Sequence, residues 1–428
     1  MGVSDTGAHS ELVLTPQEQD MLAGADGAGV AMAMRIVTGL ARVRGARRLV
    51  DVSGAHIDSC LYHGRAGLDF AQRLVELGAR VRVPTTLNVG SLDLLHPAAV
   101  HADPRFPDVL TAGRALMDAY AALGASPTWT CAPYQVGARP GLGEHVAWAE
   151  SNAIVFANSV LGARTDRYGD FLDVCAAVTG RAPLAGLHLD EERVATLVVD
   201  ITGVSSERLA DQMWWGVLGY LVGSIVQGRL PALVGAHPDV SEDALKALGA
   251  AAASSGAVGM VHVVGVTPEA PSLAACAIPG APVVHVSDAD LAGARAELCT
   301  AVGDRLDAVS LGTPHASLAE IHALAAELAR TGLTVARGID AVVTTSRGVF
   351  QIARAAGAVD VVEAAGFRFV VDTCTYVTPV FASDVRVVMT TSGKWAHYAP
   401  GNIGVDVVLA TLRECVAAAA AGRVVLDG

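Results

Sequence analysis

The sequence has few charged and few aromatic residues: 17% of its 428 residues are charged and 5% are aromatic, whereas 52% are hydrophobic. Disordered chains and coiled coils carry many more charges, so both classes are excluded. Positive charge is especially scarce, because 30 lysines and arginines stand against 43 aspartates and glutamates, a formal net charge of −13. A nucleic-acid-binding surface or a basic membrane anchor needs a cationic face, and we expect neither.

No hydrophobic run is long enough to cross a bilayer. The best candidate, MWWGVLGYLVGSIV at 213–226, is shorter than the roughly 20 residues that a membrane helix needs, so we predict a buried helix there. The first fifteen residues contain no basic stretch followed by an apolar one, and no signal peptide is expected. Seven cysteines without a CxxC pair predict neither a disulfide framework nor a local zinc hook, which favours a cytoplasmic protein with reduced thiols.

The order of apolar and alanine-rich segments predicts an α/β fold. Thr15-Pro16-Gln17-Glu18 is a capping box, and a helical stretch follows it from Met21 to about Val43. Further helices are predicted over 69–77, 316–331 and 348–365. Apolar segments typical of strands are RLVDVS (48–53), ARVRVPTT (79–86), TLVVDITG (196–203), GMVHVVGV (259–266), PVVHVS (282–287), DAVSL (307–311), DAVVTT (340–345), FVVDT (369–373) and VRVVMTT (385–391). Continuous apolar strands alternating with helices are typical of parallel sheets covered on both faces.

We expect two parts with a division near Gly203–Ser206, after a predicted strand. The N-terminal α/β part covers residues 1–205 and the C-terminal α/β part covers residues 206–428. The sequence contains neither a long linker nor an obvious internal repeat that would mark a different boundary.

Six polar clusters are candidates for a site, and most of them lie at the ends of predicted strands, which is where open α/β sheets place their sites. They are GAHIDSCLYHG (54–64), VPTTLNVGSLD (83–93), residues 130–170 beginning TCAPY, LGTPHAS (311–317), DTCTYVTP (372–379) and TSGKWAHYAPG (391–401). Each cluster alone is compatible with a structural role, since a single His56 or His315 is more often a hydrogen-bonded core histidine than a catalyst. Gly393-Lys394 lacks the earlier glycine of a phosphate loop, and neither a dinucleotide-binding fingerprint nor a serine-hydrolase elbow occurs.

Taken together and in this order, the motifs resemble the large subunit of the aconitase X family over about residues 12–420. The motifs that carry the resemblance are AHIDSCLYHG, VPTTLN, CAPY with GEHVAWAESNAIVFANSVLGART, GTPHAS, DTCTYVTP and SGKWAHYAPG. The resemblance implies a hydro-lyase on an aconitase-like α/β architecture, acting on cis-3-hydroxy-L-proline or mevalonate 5-phosphate. It also implies a small swivelling domain, which we expect as a separate small subunit in a heterodimer.

The resemblance further implies an iron ion or an iron–sulfur cluster, which would act as a Lewis acid on the leaving hydroxyl group. Cys131 and Cys374 lie in matching motifs and are the expected ligands. The third ligand stays open, because many relatives have cysteine in the Gly-x-Pro-His motif where this chain has Thr313, and a hydroxyl replaces a soft thiolate poorly. Cys60 is one candidate for this position, and a two-cysteine or weakened iron site is the alternative.

The remaining roles are assigned by chemistry and motif position. Lys394 is expected to bind the substrate carboxylate, and His56 or His315 to donate a proton to the departing hydroxide, because imidazole titrates near neutrality. Glu150 is expected to orient a neighbour or to contact a substrate amine. Exposed side chains are the structural alternative for Lys394 and Glu150. The expected substrate-binding residues are Thr85, Thr86, Asn88, Ser151, Asn152 and Tyr398. By analogy with the superfamily, the general base is expected on the small subunit.

The leading hypothesis is dehydration of cis-3-hydroxy-L-proline to Δ1-pyrroline-2-carboxylate. AHIDSCLYHG resembles the hydroxyproline-type members, and the motifs hold no cluster of lysines and arginines that would suit a phosphate. Mevalonate 5-phosphate dehydration is the runner-up, since Arg139, Arg164 and Arg167 are close to a motif in the sequence. Two further hypotheses are a non-catalytic binding or regulatory paralogue, motivated by Thr313, and a metal-free lyase in which Cys60 or another thiol acts directly.

Overall fold

The computed structural model describes residues 11–105 and 107–426 of the chain. The first ten residues, which contribute to the expectation of no signal peptide, lie outside this range. The elements from the N-terminal stretch are α1 Pro16–Ala23, α2 Ala28–Val43, β1 Leu49–Asp51, β2 Ala55–Ile57, α3 Arg65–Glu76, β3 Thr85–Leu87, α4 Ala112–Ala122, β4 Ala147–Trp148, α5 Ser151–Val155, α6 Leu172–Thr179 and β5 Arg181–Pro183. A π-helical turn, Phe156–Leu161, extends α5.

The rest of the chain repeats the alternation of strands and helices. The middle elements are β6 Leu197–Gly203, α7 Ser206–Leu209, α8 Gln212–Val226, β7 Pro231–Val234, α9 Glu242–Gly256, β8 His262–Val263, α10 Leu273–Cys276, β9 Val283–Ser287 and α11 Asp288–Leu298. The last elements are β10 Ala308–Ala316, α12 Leu318–Thr331, β11 Asp340–Thr345, α13 Arg347–Ala355, α14 Ala358–Ala364, β12 Arg368–Val371, β13 Val387–Thr390, α15 Gly393–Ile403, β14 Asp406–Leu409 and α16 Leu412–Ala421.

These strands form three parallel sheets and one small antiparallel pair. The parallel sheets have the orders β3-β2-β4, β8-β7-β6-β9 and β12-β11-β10-β13-β14, and β1 pairs antiparallel with β5. Helices pack against the sheets around three large hydrophobic clusters. The predicted α/β class with mostly parallel sheets is therefore confirmed.

Local signals explain where several helices begin and end. The Thr15 hydroxyl accepts the Glu18 N–H and the Glu18 carboxylate accepts the Thr15 N–H, so the predicted capping box is present. The helical stretch predicted from Met21 to Val43 is divided in two, because Gly24 takes a left-handed conformation (φ +95°) that ends α1.

The most apolar segment of the sequence becomes α8, a helix in the protein interior. Trp215, Leu218 and Val222 are buried in the cluster that also contains the residues of β6. The prediction of a buried helix is confirmed. Across residues 11–105 and 107–426, no helix combines the length and the apolar character needed to span a membrane.

Two predicted strands are mostly wrong, 79–86 and 259–266, and of the second only His262–Val263 form β8. Of residues 79–86, only the last two belong to β3, because the N–H groups of Val81 and Arg82 bond to the carbonyls of Leu123 and Ala177 instead of a strand neighbour. Apolar alternation cannot distinguish such an extended connection from a strand, since its backbone partners come from distant helices and loops.

The sheets β3-β2-β4 and β12-β11-β10-β13-β14 are joined at their carboxyl edges. The Gly90 N–H donates to the Asp372 carbonyl (2.7 Å), and the Val371 N–H donates to the Asp93 carboxylate (2.9 Å). Asp372 has a left-handed backbone (φ +64°) and its carboxylate accepts two hydrogen bonds from Arg347. The loops that follow β3 and β12 therefore form one connected layer above both sheets.

Candidate active site

The carboxyl ends of β2, β3 and β4 bring three polar motifs to one place. The Asn88 N–H donates to the Ile57 carbonyl (2.8 Å), and the Ala149 N–H donates to the His56 carbonyl (3.1 Å), which continues the parallel pairing beyond the strands. Asp58, Asn88 and Glu150 thus follow adjacent strands at one sheet edge. Open α/β sheets place their ligands in this position.

Cys131, His315 and Cys374 meet beside this edge in a buried group. Their potential ligand atoms all lie within 4.8 Å of one another, and the backbone N–H of His315 donates to the Cys131 sulfur (3.2 Å). A hydrogen bond with Cys131, together with burial, raises the pKa of the Cys374 thiol well above its ordinary value. Two thiols and an imidazole are ligands that suit iron in its clusters, as well as zinc.

His315 is held as a neutral imidazole with a defined tautomer. Its Nε2 lies 3.0 Å from the Thr373 carbonyl oxygen and its Nδ1 lies 3.0 Å from the Thr130 hydroxyl. A carbonyl only accepts, so Nε2 carries the hydrogen and Nδ1 carries the lone pair. Burial lowers the pKa of His315 to about 4, which keeps the ring neutral at pH 7. Nδ1, which lies against the Thr130 hydroxyl in this structure, is therefore the ring nitrogen whose lone pair would bind a metal.

Thr313, two residues before His315, has a buried hydroxyl without a hydrogen-bond partner among the described residues. An unpartnered polar atom in the interior is costly and indicates a missing partner. The neighbouring Gly312 has φ +83°, and a Cβ there would lie 2.1 Å from the Thr344 carbonyl oxygen, so the segment can turn only with glycine. The residues around Gly312 and Thr313 fit a bound iron or a small cluster, for which Cys131, Cys374 and His315 would be the ligands.

Cys60 is not brought into this group. Its thiol faces the carbonyl oxygens of Ile57 (3.5 Å), Asn88 (3.3 Å) and Val89 (3.7 Å), inside the core behind β2. Burial raises the pKa of the Cys60 thiol well above its usual value. Within the described residues, the third candidate ligand beside the two cysteines is His315, which the sequence suggested only as a proton donor.

Lys394 and Glu150 form an ion pair in the interior, with side chains only 4% and 5% exposed. The Ser151 hydroxyl accepts a hydrogen bond from Lys394 (3.2 Å) and donates one to Glu150 (3.1 Å). Glu150 also caps α5 by accepting the Ala153 N–H (2.7 Å). Lys394 sits in the first turn of α15, where Gly393 packs directly on the backbone of Gly216 in α8. Both side chains are buried, so the structural alternative, in which Lys394 and Glu150 are exposed surface residues, does not apply.

Each of the two charges keeps the other group ionised although both groups are buried. Burial opposes ionisation of Glu150, but the charge and hydrogen bond of Lys394 outweigh it, and the pKa of Glu150 lies below its usual value. Burial also opposes the charge of Lys394, and Glu150 in turn holds the pKa of Lys394 well above its usual value. A third ammonium hydrogen of Lys394 is available for an anionic ligand, since Glu150 and Ser151 engage the other two.

His56 lies on the same sheet edge with one free ring nitrogen. The Thr86 hydroxyl donates to the Ala55 carbonyl (3.3 Å), so it accepts a hydrogen bond from His56 Nδ1 (2.8 Å), and His56 Nε2 has no partner among the described residues. Burial lowers the pKa of His56 to about 4. Proton donation to hydroxide stays a prediction for His56 and His315, because each neutral ring must first acquire a proton.

Three of the expected substrate-binding residues mainly contact other protein groups. The Thr85 hydroxyl donates to the Val83 carbonyl (2.8 Å). Asn152 donates to the Cys131 carbonyl (2.8 Å) and accepts a hydrogen bond from the Tyr134 hydroxyl (3.1 Å), so it supports the loop that carries Cys131. The half-buried Tyr398 stacks on Tyr376, with ring centroids 5.9 Å apart. Their roles toward a substrate stay predictions.

Two residues of the site were not assigned a role from the sequence. Asp58 accepts a hydrogen bond from the Asn88 side-chain amide, and burial and the charge of Glu150 raise the pKa of Asp58 to about 8. Tyr376 lies near Lys394 and both cysteines, and burial raises the pKa of its hydroxyl. Both residues stand in motifs that follow predicted strands, and this position was the available signal.

Comparisons with known proteins agree on one family. Family models described as aconitase X first, second and third domain match residues 11–191, 195–296 and 306–421. The chain is 46% identical to cis-3-hydroxy-L-proline dehydratase of Pseudomonas aeruginosa, covering 95% of this chain and 70% of that protein. It is 39% identical to the phosphomevalonate dehydratase large subunit of Methanothermobacter thermautotrophicus, covering 93% of this chain and 96% of that protein.

A solved structure matches equally well. The holo-form of aconitase X from Thermococcus kodakaraensis superimposes with a TM-score of 0.84 and 33% identity, over 95% of this chain and 99% of that chain. The chain therefore belongs to the aconitase X family, as its motifs predicted. The relatives named here are dehydratases, that is, hydro-lyases. The division into two parts near residue 205 stays a prediction.

Proposed function

We propose that this chain is the large, catalytic part of a hydro-lyase that removes water from cis-3-hydroxy-L-proline and yields Δ1-pyrroline-2-carboxylate. The observation that carries the proposal is the buried Lys394–Glu150 pair at the same edge as the Cys131, His315 and Cys374 group. An anion-binding cation beside a metal-binding group is what dehydration of a small hydroxy acid requires. The 46% identity to a cis-3-hydroxy-L-proline dehydratase supports the choice of substrate.

In this proposal the chain's own residues bind and orient the substrate. Lys394 holds the carboxylate with its free ammonium hydrogen, and Glu150 with Ser151 fixes the direction of that ammonium group. The lone pair of His56 Nε2 accepts a hydrogen bond from a polar group of the substrate. Iron held by Cys131, Cys374 and His315 would supply a Lewis acid that eases the departure of hydroxide.

The surroundings of the three arginines that the sequence suggested for a phosphate favour a zwitterionic amino acid over a phosphorylated acid as the substrate. A dianionic phosphate needs several fixed cations or donors. Arg139 is paired with Glu242 on the surface, Arg164 is paired with Asp190, and Arg167 packs beside Gly259. Mevalonate 5-phosphate is therefore the weaker candidate, although large subunits that act on it are related to this chain.

We further propose that a small swivelling domain, carried on a separate subunit, completes the site and supplies the general base. Relatives that match over nearly their whole length are described as large subunits, while the chain spans 70% of the Pseudomonas dehydratase. The base on this domain then takes the α-proton of the substrate, and the C3–O bond breaks. The departing hydroxide takes up a proton and leaves as water, and the resulting enamine tautomerises to the cyclic imine.

The decisive experiment is an assay of the purified chain with its small partner, after anaerobic loading with iron and sulfide. We expect proton NMR to show conversion of cis-3-hydroxy-L-proline and loss of this activity in Lys394→Met. Turnover of mevalonate 5-phosphate alone would overturn the choice of substrate. Absence of both iron and activity after loading would favour the non-catalytic paralogue. Activity that survives chelators but is lost in Cys60→Ser would favour the metal-free lyase.

A further inference from the structure

Asp58 and Asn88 form a pair of acceptors at the edge of the site. Both are the first residues after neighbouring parallel strands, β2 and β3, and the side-chain amide of Asn88 donates to the Asp58 carboxylate. The turn that carries Asp58 is fixed from behind by Asp173, whose carboxylate accepts the N–H groups of Asp58 (2.7 Å) and Ser59 (3.1 Å). The position of the Asp58 carboxylate is therefore set by the backbone.

This pair has acceptor capacity that the protein does not use. Asn88 is 4% exposed, and its side-chain oxygen has no hydrogen-bond partner in the described part of the chain. No lysine, arginine or histidine there forms an ion pair with Asp58, because the cation whose charge reaches it, Lys394, is bound to Glu150. A buried amide oxygen without a donor is rare in native proteins and indicates a ligand atom that belongs there.

The missing partner has a defined chemistry. Two acceptors, of which one is a carboxylate, are complementary to a cationic group with two N–H donors. The ring nitrogen of cis-3-hydroxy-L-proline is a secondary ammonium with two hydrogens. Lys394 attracts a carboxylate from the neighbouring position, so a zwitterion can lie across the site with its negative end at Lys394 and its positive end at Asp58.

We propose that Asp58 and Asn88 bind the ring ammonium of the substrate and thereby select an amino acid over a nitrogen-free hydroxy acid. This inference rests on the proposed function and names the residues that determine its substrate class. Burial raises the pKa of Asp58 to about 8 in the free protein, and the positive charge of the bound ammonium favours its ionised form. Asp58 then accepts one ammonium hydrogen as a charge-assisted hydrogen bond, and the unpartnered oxygen of Asn88 accepts the other.

The test compares two ligands that differ only at this group. Binding of cis-3-hydroxy-L-proline and of cis-2-hydroxycyclopentane carboxylate, in which a methylene replaces the ring nitrogen, is measured by calorimetry on the full chain with its small partner. We expect the wild type to prefer the amino acid at least tenfold. Asp58→Asn is expected to lose at least tenfold in affinity for the amino acid and less than twofold for the carbocycle. In turnover, KM rises while kcat stays within about threefold.

Matched variants separate recognition from folding. Asp170→Asn removes an exposed charge that also acts on Asp58, and it is expected to change neither ligand's affinity more than twofold. Asn88→Ala, a second probe should Asp58→Asn fail to fold, is expected to weaken only the amino acid. Equal weakening of both ligands, or of neither, overturns the assignment while the proposed function stands. A wild type that converts only mevalonate 5-phosphate overturns the proposed function as well.

Discussion

The buried pair of Lys394 and Glu150 gives the most demanding stability prediction. Glu150→Gln preserves the size of the side chain and its cap on α5, but leaves the ammonium group of Lys394 without a countercharge in the interior. Removing one partner of a buried pair costs about 3–5 kcal/mol of unfolding free energy, whereas replacing both partners with neutral residues is often nearly neutral. The double variant Glu150→Gln/Lys394→Met is therefore expected to be more stable than Glu150→Gln alone.

The measurement is urea-induced unfolding at pH 7 of the wild type, both single variants and the double variant. We expect a coupling free energy of at least about 2 kcal/mol from this cycle. Asp118→Asn, which removes one partner of the exposed Arg114–Asp118 pair, serves as the control and should leave stability unchanged. Additive losses, or a loss below about 1 kcal/mol for Glu150→Gln, would show that the two charges do not depend on each other.

The pH dependence of the same pair has a definite sign. The folded pKa of Glu150 lies below the value in the unfolded chain. Its contribution to stability is therefore present above the unfolded pKa and is lost as the pH falls through the folded value. The wild type and Glu150→Gln should thus converge in stability in acid and diverge toward neutral pH.

Three further predictions concern the residues around the site. Gly312→Ala places a Cβ 2.1 Å from the Thr344 carbonyl oxygen and should lower the melting temperature strongly. Gly338→Ala is the control, because Gly338 has a similar positive φ but open space around it, and it should lower the melting temperature far less. Equal effects of the two substitutions would contradict the steric argument. Asn152→Leu leaves the Cys131 carbonyl and the Tyr134 hydroxyl unpaired, so we expect a loss of about 2 kcal/mol in urea unfolding and a lower iron content after loading; an unchanged iron content would exclude a supporting role. The pKa of His56 is about 4 in the folded protein, so as the pH falls below 6.5 this imidazole takes up a proton in the unfolded chain before it does so in the folded one. The free energy of unfolding should therefore drop by up to about 3 kcal/mol between pH 6.5 and 4. His56→Gln should flatten that drop, and an identical pH profile would refute the assignment.

The location of the site was predictable because strand ends carry a clear sequence signal. Apolar runs such as DAVVTT and FVVDT form β11 and β12, and the polar motif after FVVDT delivers Cys374 to the carboxyl edge. Parallel strands bring such ends together by geometry alone. The resemblance of the motifs to those of one family, together with the strand positions of several of them, indicated that Cys131, Cys374 and Lys394 belong to one region.

The partners of individual atoms were not predictable in the same way. His315 becomes a candidate ligand because its Nε2 is fixed by Thr373 and its Nδ1 faces Thr130, which is 185 positions away in the chain. Cys60 lies in the first polar motif, yet its thiol points to backbone carbonyls inside the core. One position along a turn decides whether a side chain faces the sheet edge or the core, and residue type alone does not reveal that choice.

The hydrogen bonds between Gly90 and Asp372 and between Val371 and Asp93 have a mechanical consequence. They join the two sheets through one bond between main-chain atoms and one bond from a main-chain N–H to a carboxylate, so the sheets cannot move apart without breaking both bonds. If the proposed small domain covers the site, admission of a substrate would depend on the movement of that domain and not on a separation of the two sheets. A cross-link between the loops that follow β3 and β12 should leave turnover intact, whereas a cross-link from these loops to the proposed small domain should stop it.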